Sequence, residues 1–150
     1  MRIRRAVMDD SRAMAEVSAR AYDLYEVLLG YLPPPALEDP RSWITAGQAW
    51  VGERDSVVMA VLVAEFGDTH LLVRSAVVDP DWQGEGHGRA LLEHAEALAR
   101  EAGLHELRLS TNTLMERNIS LYRHCGYKVQ GQRPHPSQAR HTLADMVKAV

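Results

Sequence analysis

One cysteine, Cys125, is all that the 150-residue chain contains, which excludes an intrachain disulfide and a zinc site built on cysteines. A basic excess is missing too. The formal net charge is −3 and the pI is near 6.1, so the chain lacks the electrostatic footprint of a protein that binds a nucleic-acid backbone or an anionic membrane. Long apolar runs are also absent: the longest uncharged one, SVVMAVLVA, falls well short of the roughly 20 residues that span a bilayer. The opening MRIRRAVMDD has charges but no apolar stretch behind them, unlike a secretory signal. The histidines beyond the strand residue His70, at His87, His94, His105, His124, His135 and His141, show no H-x-x-x-H or Cys/His grouping that would hold a metal. These absences point to a soluble, cytoplasmic protein with no metal, no nucleic-acid partner and no membrane partner.

What is present is ordinary for a globular chain, with 46% hydrophobic and 25% charged residues. The length implies one domain over residues 1–150, enough to bury a core without staples. Repeats, linkers and low-complexity segments are not evident. Residues 2–7 read as a strand. Met14, Val17, Ala21, Leu24 and Leu28 then recur at helical spacing behind an Asp9/Asp10 cap. YLPPPALEDP breaks that helix and forms a loop, with a short helix after it through SWITAGQ. AWVGER and VVMAVLVAEF form a hairpin around Asp55-Ser56. Residues 69–78 give another strand. Leu91, Leu92, Ala95, Leu98, Ala99 and Ala102 mark one face of a helix from Arg89 that stops at Gly103. LHELRLST alternates as a half-buried strand, residues 118–126 form a short helix, and YKVQG and HTLADMVKA are the last two strands. This order gives an α/β (α+β) chain with a mixed sheet flanked by helices.

Between the strand ending at Val78 and the helix lie Gly84, Gly86 and Gly88. Glycines at alternate positions supply no side chain to a core and allow close approach to the backbone. Strand, glycine-rich loop and helix together make a phosphate site, because unpaired N–H groups and about half a positive charge sit at the helix start. A P-loop requires Lys-Ser/Thr after its last glycine, but Arg89-Ala90 follows Gly88. A dinucleotide fingerprint requires G-x-G-x-x-G, and the spacing here is G-x-G-x-G.

The pattern Gln83-x-x-Gly86-x-Gly88, after Val78-Asp79-Pro80 and before Ala90-Leu91-Leu92, resembles the pyrophosphate signature of the GNAT superfamily of acetyl-CoA-dependent N-acetyltransferases. Leu121-Tyr122 followed by Gly126-Tyr127 is similar to that family's Leu-Tyr-x-x-x-Gly-Phe/Tyr segment, and Met146-x-Lys148 is similar to its last strand. The resemblance covers essentially the whole chain. It implies a mostly antiparallel sheet of six to seven strands with a V-shaped splay between the fourth and fifth. Acetyl-CoA would lie in that gap, its arm paired to backbone at Val77 and Val78 and its pyrophosphate on Gly84, Glu85, Gly86, His87, Gly88, Arg89 and Ala90, with Gln83 part of the signature. An amine acceptor is the implied second substrate, attacking the thioester directly in a ternary complex. Tyr122 falls at the family's proton-donor position, where a phenol is protonated at neutral pH.

Several positions leave alternatives open. Asn118 is either a cofactor contact or a helix N-cap, since the relatives' asparagine falls where Met115 stands. The glutamate that many relatives carry on the strand before the glycine loop is missing, leaving His70, Glu65 or a water chain as base. Cys125 reads as an inert thiol. The acceptor regions implied by the resemblance offer Tyr22, Tyr25, Glu26 and Tyr31 from the first helix onward, and Arg133, His135 and Arg140 near the end. The rival to an enzyme is a non-catalytic acyl-CoA-binding sensor. A homodimer is compatible with either reading.

Overall fold

The computed structural model describes all of residues 1–150. Its elements run β1 (Arg2–Arg5), α1 (Ser11–Leu29), α2 (Pro34–Leu37), α3 (Pro40–Thr45), β2 (Ala49–Arg54), β3 (Val57–Phe66), β4 (His70–Val78), α4 (His87–Glu101), β5 (Glu106–Asn112), α5 (Glu116–His124), β6 (Lys128–Pro134) and β7 (Thr142–Ala149). One sheet holds all seven strands in the order β1-β2-β3-β4-β5-β7-β6. Every neighbouring pair is antiparallel except β4 with β5. No helix is long and apolar enough to cross a membrane.

Each face of the sheet is covered by a helix whose apolar residues recur at helical spacing. On one side Met14, Val17, Ala21 and Tyr22 of α1 pack on Val51, Val61, Val63 and Val77. On the other, Leu91, Leu92, Ala95 and Ala99 of α4 pack on Leu62, Leu71, Val73 and Leu107. Leu62, Leu71, Leu91 and Leu107 are fully buried, each burial contributing about 1.5–3 kcal/mol. Asp55 and Ser56 both adopt positive φ, 52° and 65°, the geometry of a tight turn whose twist matches the two strands it joins.

Three local expectations need correction. The prolines do not end α1. Gly30, at φ 78°, ends it with its N–H on the Glu26 carbonyl, whereas Pro34 and Pro40 sit inside the starts of α2 and α3, where a missing N–H costs nothing. Asp10 does not cap α1 through its side chain; its carboxylate instead accepts two hydrogen bonds from Arg4, at 2.8 and 2.9 Å, and one from the Val7 N–H. Asn118 is no N-cap, because α5 already begins at Glu116.

Candidate functional site

The glycine loop is built as a backbone cradle. Gly84 and Gly86 both have φ of 84°, and a Cβ placed on either would meet no atom within 4 Å. Space therefore opens directly over the chain where only glycine is unstrained. The first hydrogen bond into α4 runs from the Ala90 N–H to the Gly86 carbonyl at 3.1 Å, and the N–H groups of Gly84 through Arg89 have no acceptor in the fold. Such a row suits a pyrophosphate. Side chains here serve the loop itself: Gln83 donates its amide to the Val78 carbonyl at 3.0 Å, and His87, buried, contacts Glu85 at 3.0 Å. Arg89 points along the helix surface to Glu93, 3.1 Å away.

Ahead of the loop the sheet opens. β4 pairs with β5 only from His70 to Leu72, opposite Glu106 to Arg108, so beyond Leu72 the two strands diverge. A bulge causes part of this: Val63 faces Ser75 and Ala64 faces Val73, leaving Arg74 as an extra residue. Leu71 and Val73 face α4, but past the bulge Ser75 faces α1, where its Oγ lies 2.6 Å from the Tyr22 hydroxyl. The Asp79 N–H bonds to Met59 on β3. By alternation along the strand the Val78 and Ala76 amides face the open edge and the Val77 amide faces β3. Val78 thus turns its N–H to the edge that β5 leaves open.

A cleft of about 430 Å³ fills the splay, and Tyr122 on α5 lines it. Burial, and after it the neighbouring Tyr25, Tyr22 and Tyr127, pushes the Tyr122 phenol well above its ordinary value of 10. The group therefore keeps its proton and has one to donate. Asn118, one turn earlier, also lines the cleft and donates to the Tyr25 hydroxyl at 2.6 Å. Cys125 is half-buried and lies away from this cleft; burial raises its thiol pKa.

Residues 16–127 match the sequence profile of the Acetyltransferase (GNAT) family. The chain belongs to this family. It is 30% identical over 133 residues to the peptidyl-lysine N-acetyltransferase YjaB of Escherichia coli K12, covering 87% of this chain and 84% of that one. It is 29% identical over 146 residues to the L-amino acid N-acyltransferase MnaT of the same organism, covering 89% and 83%. Among solved structures, yncA from Salmonella typhimurium, solved with its cofactor acetyl-CoA, superposes with a TM-score of 0.78 at 24% identity, over 99% of this chain and 93% of that one.

In this acetyltransferase the other cleft wall is aromatic. Tyr22, Tyr25 and Tyr31 line it, joined by Arg133 and His135 from the β6–β7 end. Glu26 and Arg140 do not. The period of α1 explains Glu26: Tyr22, Tyr25 and Leu29 share a face, and the residue after Tyr25 turns about 100° away. His70 and Glu65 are not in the cleft wall either. His70 sits at the closed end of the splay, paired with Glu106, and Glu65 lies 3.5 Å from Arg74. The sequence reading missed three contributors. Arg74 is held by Glu38 through contacts of 2.6 and 3.0 Å. Ser75 stands out only as a hydroxyl in an apolar strand. Buried Asn112 ends β5, and its side-chain NH₂ reaches both Tyr31 and His141, at 3.1 and 2.9 Å.

Proposed function

We propose that the protein is an N-acetyltransferase of one catalytic domain, moving an acetyl group from acetyl-CoA to a primary amine by direct attack in a ternary complex. The observation that carries this reading is a strand edge left free by the splay, with the partly buried Tyr122 phenol lining the cleft there, followed along the chain by a loop whose amides from Gly84 to Arg89 are unpartnered. The loop amides hold pyrophosphate, and the β4 edge takes the cofactor arm as an added strand. The Val78 N–H stabilises the negative charge that develops on the thioester oxygen.

The amine enters from the aromatic wall with its lone pair free. A C–N bond forms, the C–S bond breaks, and Tyr122 donates its proton to the departing sulfur. The nitrogen sheds a proton, and the phenolate regains one through solvent, so the net movement is from nitrogen to sulfur. No carboxylate lines the cleft, which supports solvent rather than a side chain as the sink for the nitrogen's proton. Asn118 belongs to this machinery by way of Tyr25, on the acceptor side of Tyr122.

Isothermal titration with acetyl-CoA, followed on the same sample by thiol release against a panel of amines, tests the reading. Binding with amine-dependent release is expected. Binding without release on any amine would favour the acyl-CoA sensor, and no binding would overturn the loop assignment.

A further inference from the structure

The far corner of the cleft, at Tyr31, His135 and Arg133, has its hydrogen-bond polarity set by the fold. Asn112 is buried and its Oδ1 accepts the Leu114 N–H at 2.9 Å, which identifies its other terminal atom as the NH₂ group. One of that group's hydrogens goes to the Tyr31 oxygen and the other to His141 Nδ1. Tyr31 therefore keeps its own hydroxyl hydrogen for something else. His135 Nδ1 accepts from the N–H groups of both Ser137 and Gln138, each at 3.0 Å. Its ring proton must then reside on Nε2. The two rings meet edge to face at 5.2 Å. Burial, with His141 and Arg133 nearby, lowers the His135 pKa, so the ring is a neutral donor at neutral pH.

Arg133 completes the corner. Its Nε contacts both oxygens of Asp145, at 3.2 and 2.9 Å, and neither of its terminal NH₂ groups has a partner in the fold. What this corner has left to give is hydrogen: an O–H, a ring N–H and the NH₂ groups of a guanidinium. No aspartate or glutamate lines the cleft to receive a second cationic group. Leu29, Pro33, Leu109, Met115 and Leu143 give the same cleft apolar lining.

We infer that the acceptor is a small amino acid-like molecule, with an apolar body and one carboxylate held by Tyr31, His135 and Arg133 while its amine faces the splay. The inference rests on the acetyl-transfer reading and adds to it the substrate class. Arginine suits the task because its paired N–H groups match both carboxylate oxygens. A cleft of about 430 Å³ is in the range that encloses small molecules. Polyamines and lysine-rich peptides are disfavoured, since no carboxylate lines the cleft to pair with their further positive charges.

The test compares matched acceptors at saturating acetyl-CoA: leucine, methionine and phenylalanine, each with its carboxamide and its decarboxylated amine, together with spermidine and a lysyl peptide. We expect kcat/KM for each free amino acid to exceed that of its carboxamide by about 10- to 100-fold, the factor for a hydrogen bond to a charged group. Arg133→Gln and Tyr31→Phe should each shrink that ratio several-fold. Arg133 is exposed, so its replacement spares the core, and Arg133→Lys should recover part of the ratio. Equal rates for acid and carboxamide, or a preference for spermidine or the lysyl peptide, would overturn the inference and leave acetyl transfer standing. Acetyl-CoA binding with no thiol release from any amine would overturn the transferase reading and this inference with it.

Discussion

The Asn118 side-chain amide donates a 2.6 Å hydrogen bond to the Tyr25 hydroxyl, tying α1 to the helix that carries Tyr122. Both side chains line the cleft, so the bond helps to set how far Tyr122, the proposed proton donor, stands from the aromatic residues of α1. Tyr25→Phe removes the acceptor atom and leaves the ring in place. We expect a loss of about 10-fold in kcat, the scale on which small misplacements act, with acetyl-CoA affinity changed less than about twofold. Asn118→Ala should give a similar loss, and the double variant should be no worse than either single one, because both break the same bond. Additive losses in steady-state kinetics would show that the two side chains act separately.

Tyr122→Phe should lower kcat by about 100-fold or more, the range for a positioned proton donor, while titration of acetyl-CoA gives an unchanged Kd. The pH dependence follows from the direction of the shift. Burial disfavours the phenolate, so the raised pKa keeps the donor protonated throughout the range up to about pH 10. kcat/KM should therefore rise with pH as the amine loses its proton and then level off. A descending limb below about pH 10 that disappears in Tyr122→Phe would contradict a phenol held above its ordinary value.

Part of the candidate site has local signals in the sequence. The glycine spacing after Val78 marks the cradle, and Leu121-Tyr122 with Gly126-Tyr127 marks the proposed donor. The bulge at Arg74 was hidden, since Leu71, Leu72, Val73, Ala76, Val77 and Val78 are apolar on both faces and a change of face leaves no trace in the pattern. Asn118 looked like a cap because Ser, Thr, Asp and Asn favour that position; its actual partner lies 93 residues away in sequence. Asn112 gave no local signal, since its partners Tyr31 and His141 come from two distant segments. Contacts of that range become visible only when the sheet brings α1, β5 and the β6–β7 loop together.

Gly86 caps α4 at φ 84° with open space above it. Gly86→Val would place a branched side chain over the amide row and force a left-handed conformation that costs roughly 1–2 kcal/mol for a residue with a Cβ. We expect acetyl-CoA affinity to fall more than about 10-fold. Gly86→Ala, with the same backbone strain but one methyl group, should lose less, so the difference between the two variants reports obstruction of the cradle. Equal affinities for both variants and the wild type would remove the loop from the binding site.

Asp10 and Arg4 give a stability prediction distant from the cleft. The Arg4 guanidinium, ahead of the Val7 N–H, holds the Asp10 carboxyl below its ordinary range despite the opposing effect of burial. A depressed carboxyl stabilises the fold fully above its unfolded value of about 3.9 and loses that contribution as pH falls toward the folded value. Asp10→Asn keeps the size but removes the charge that Arg4 faces. In denaturant titrations it should be less stable by about 2 kcal/mol at pH 7, the scale of a hydrogen bond to a charged group. The gap should narrow as pH drops below about 4, because the unfolded wild-type chain then takes up a proton that the folded carboxyl still resists. Other carboxylates titrate alike in both proteins, so the difference between the two curves isolates this pair. A gap that stayed constant down to pH 2 would mean that the pair contributes through packing rather than charge.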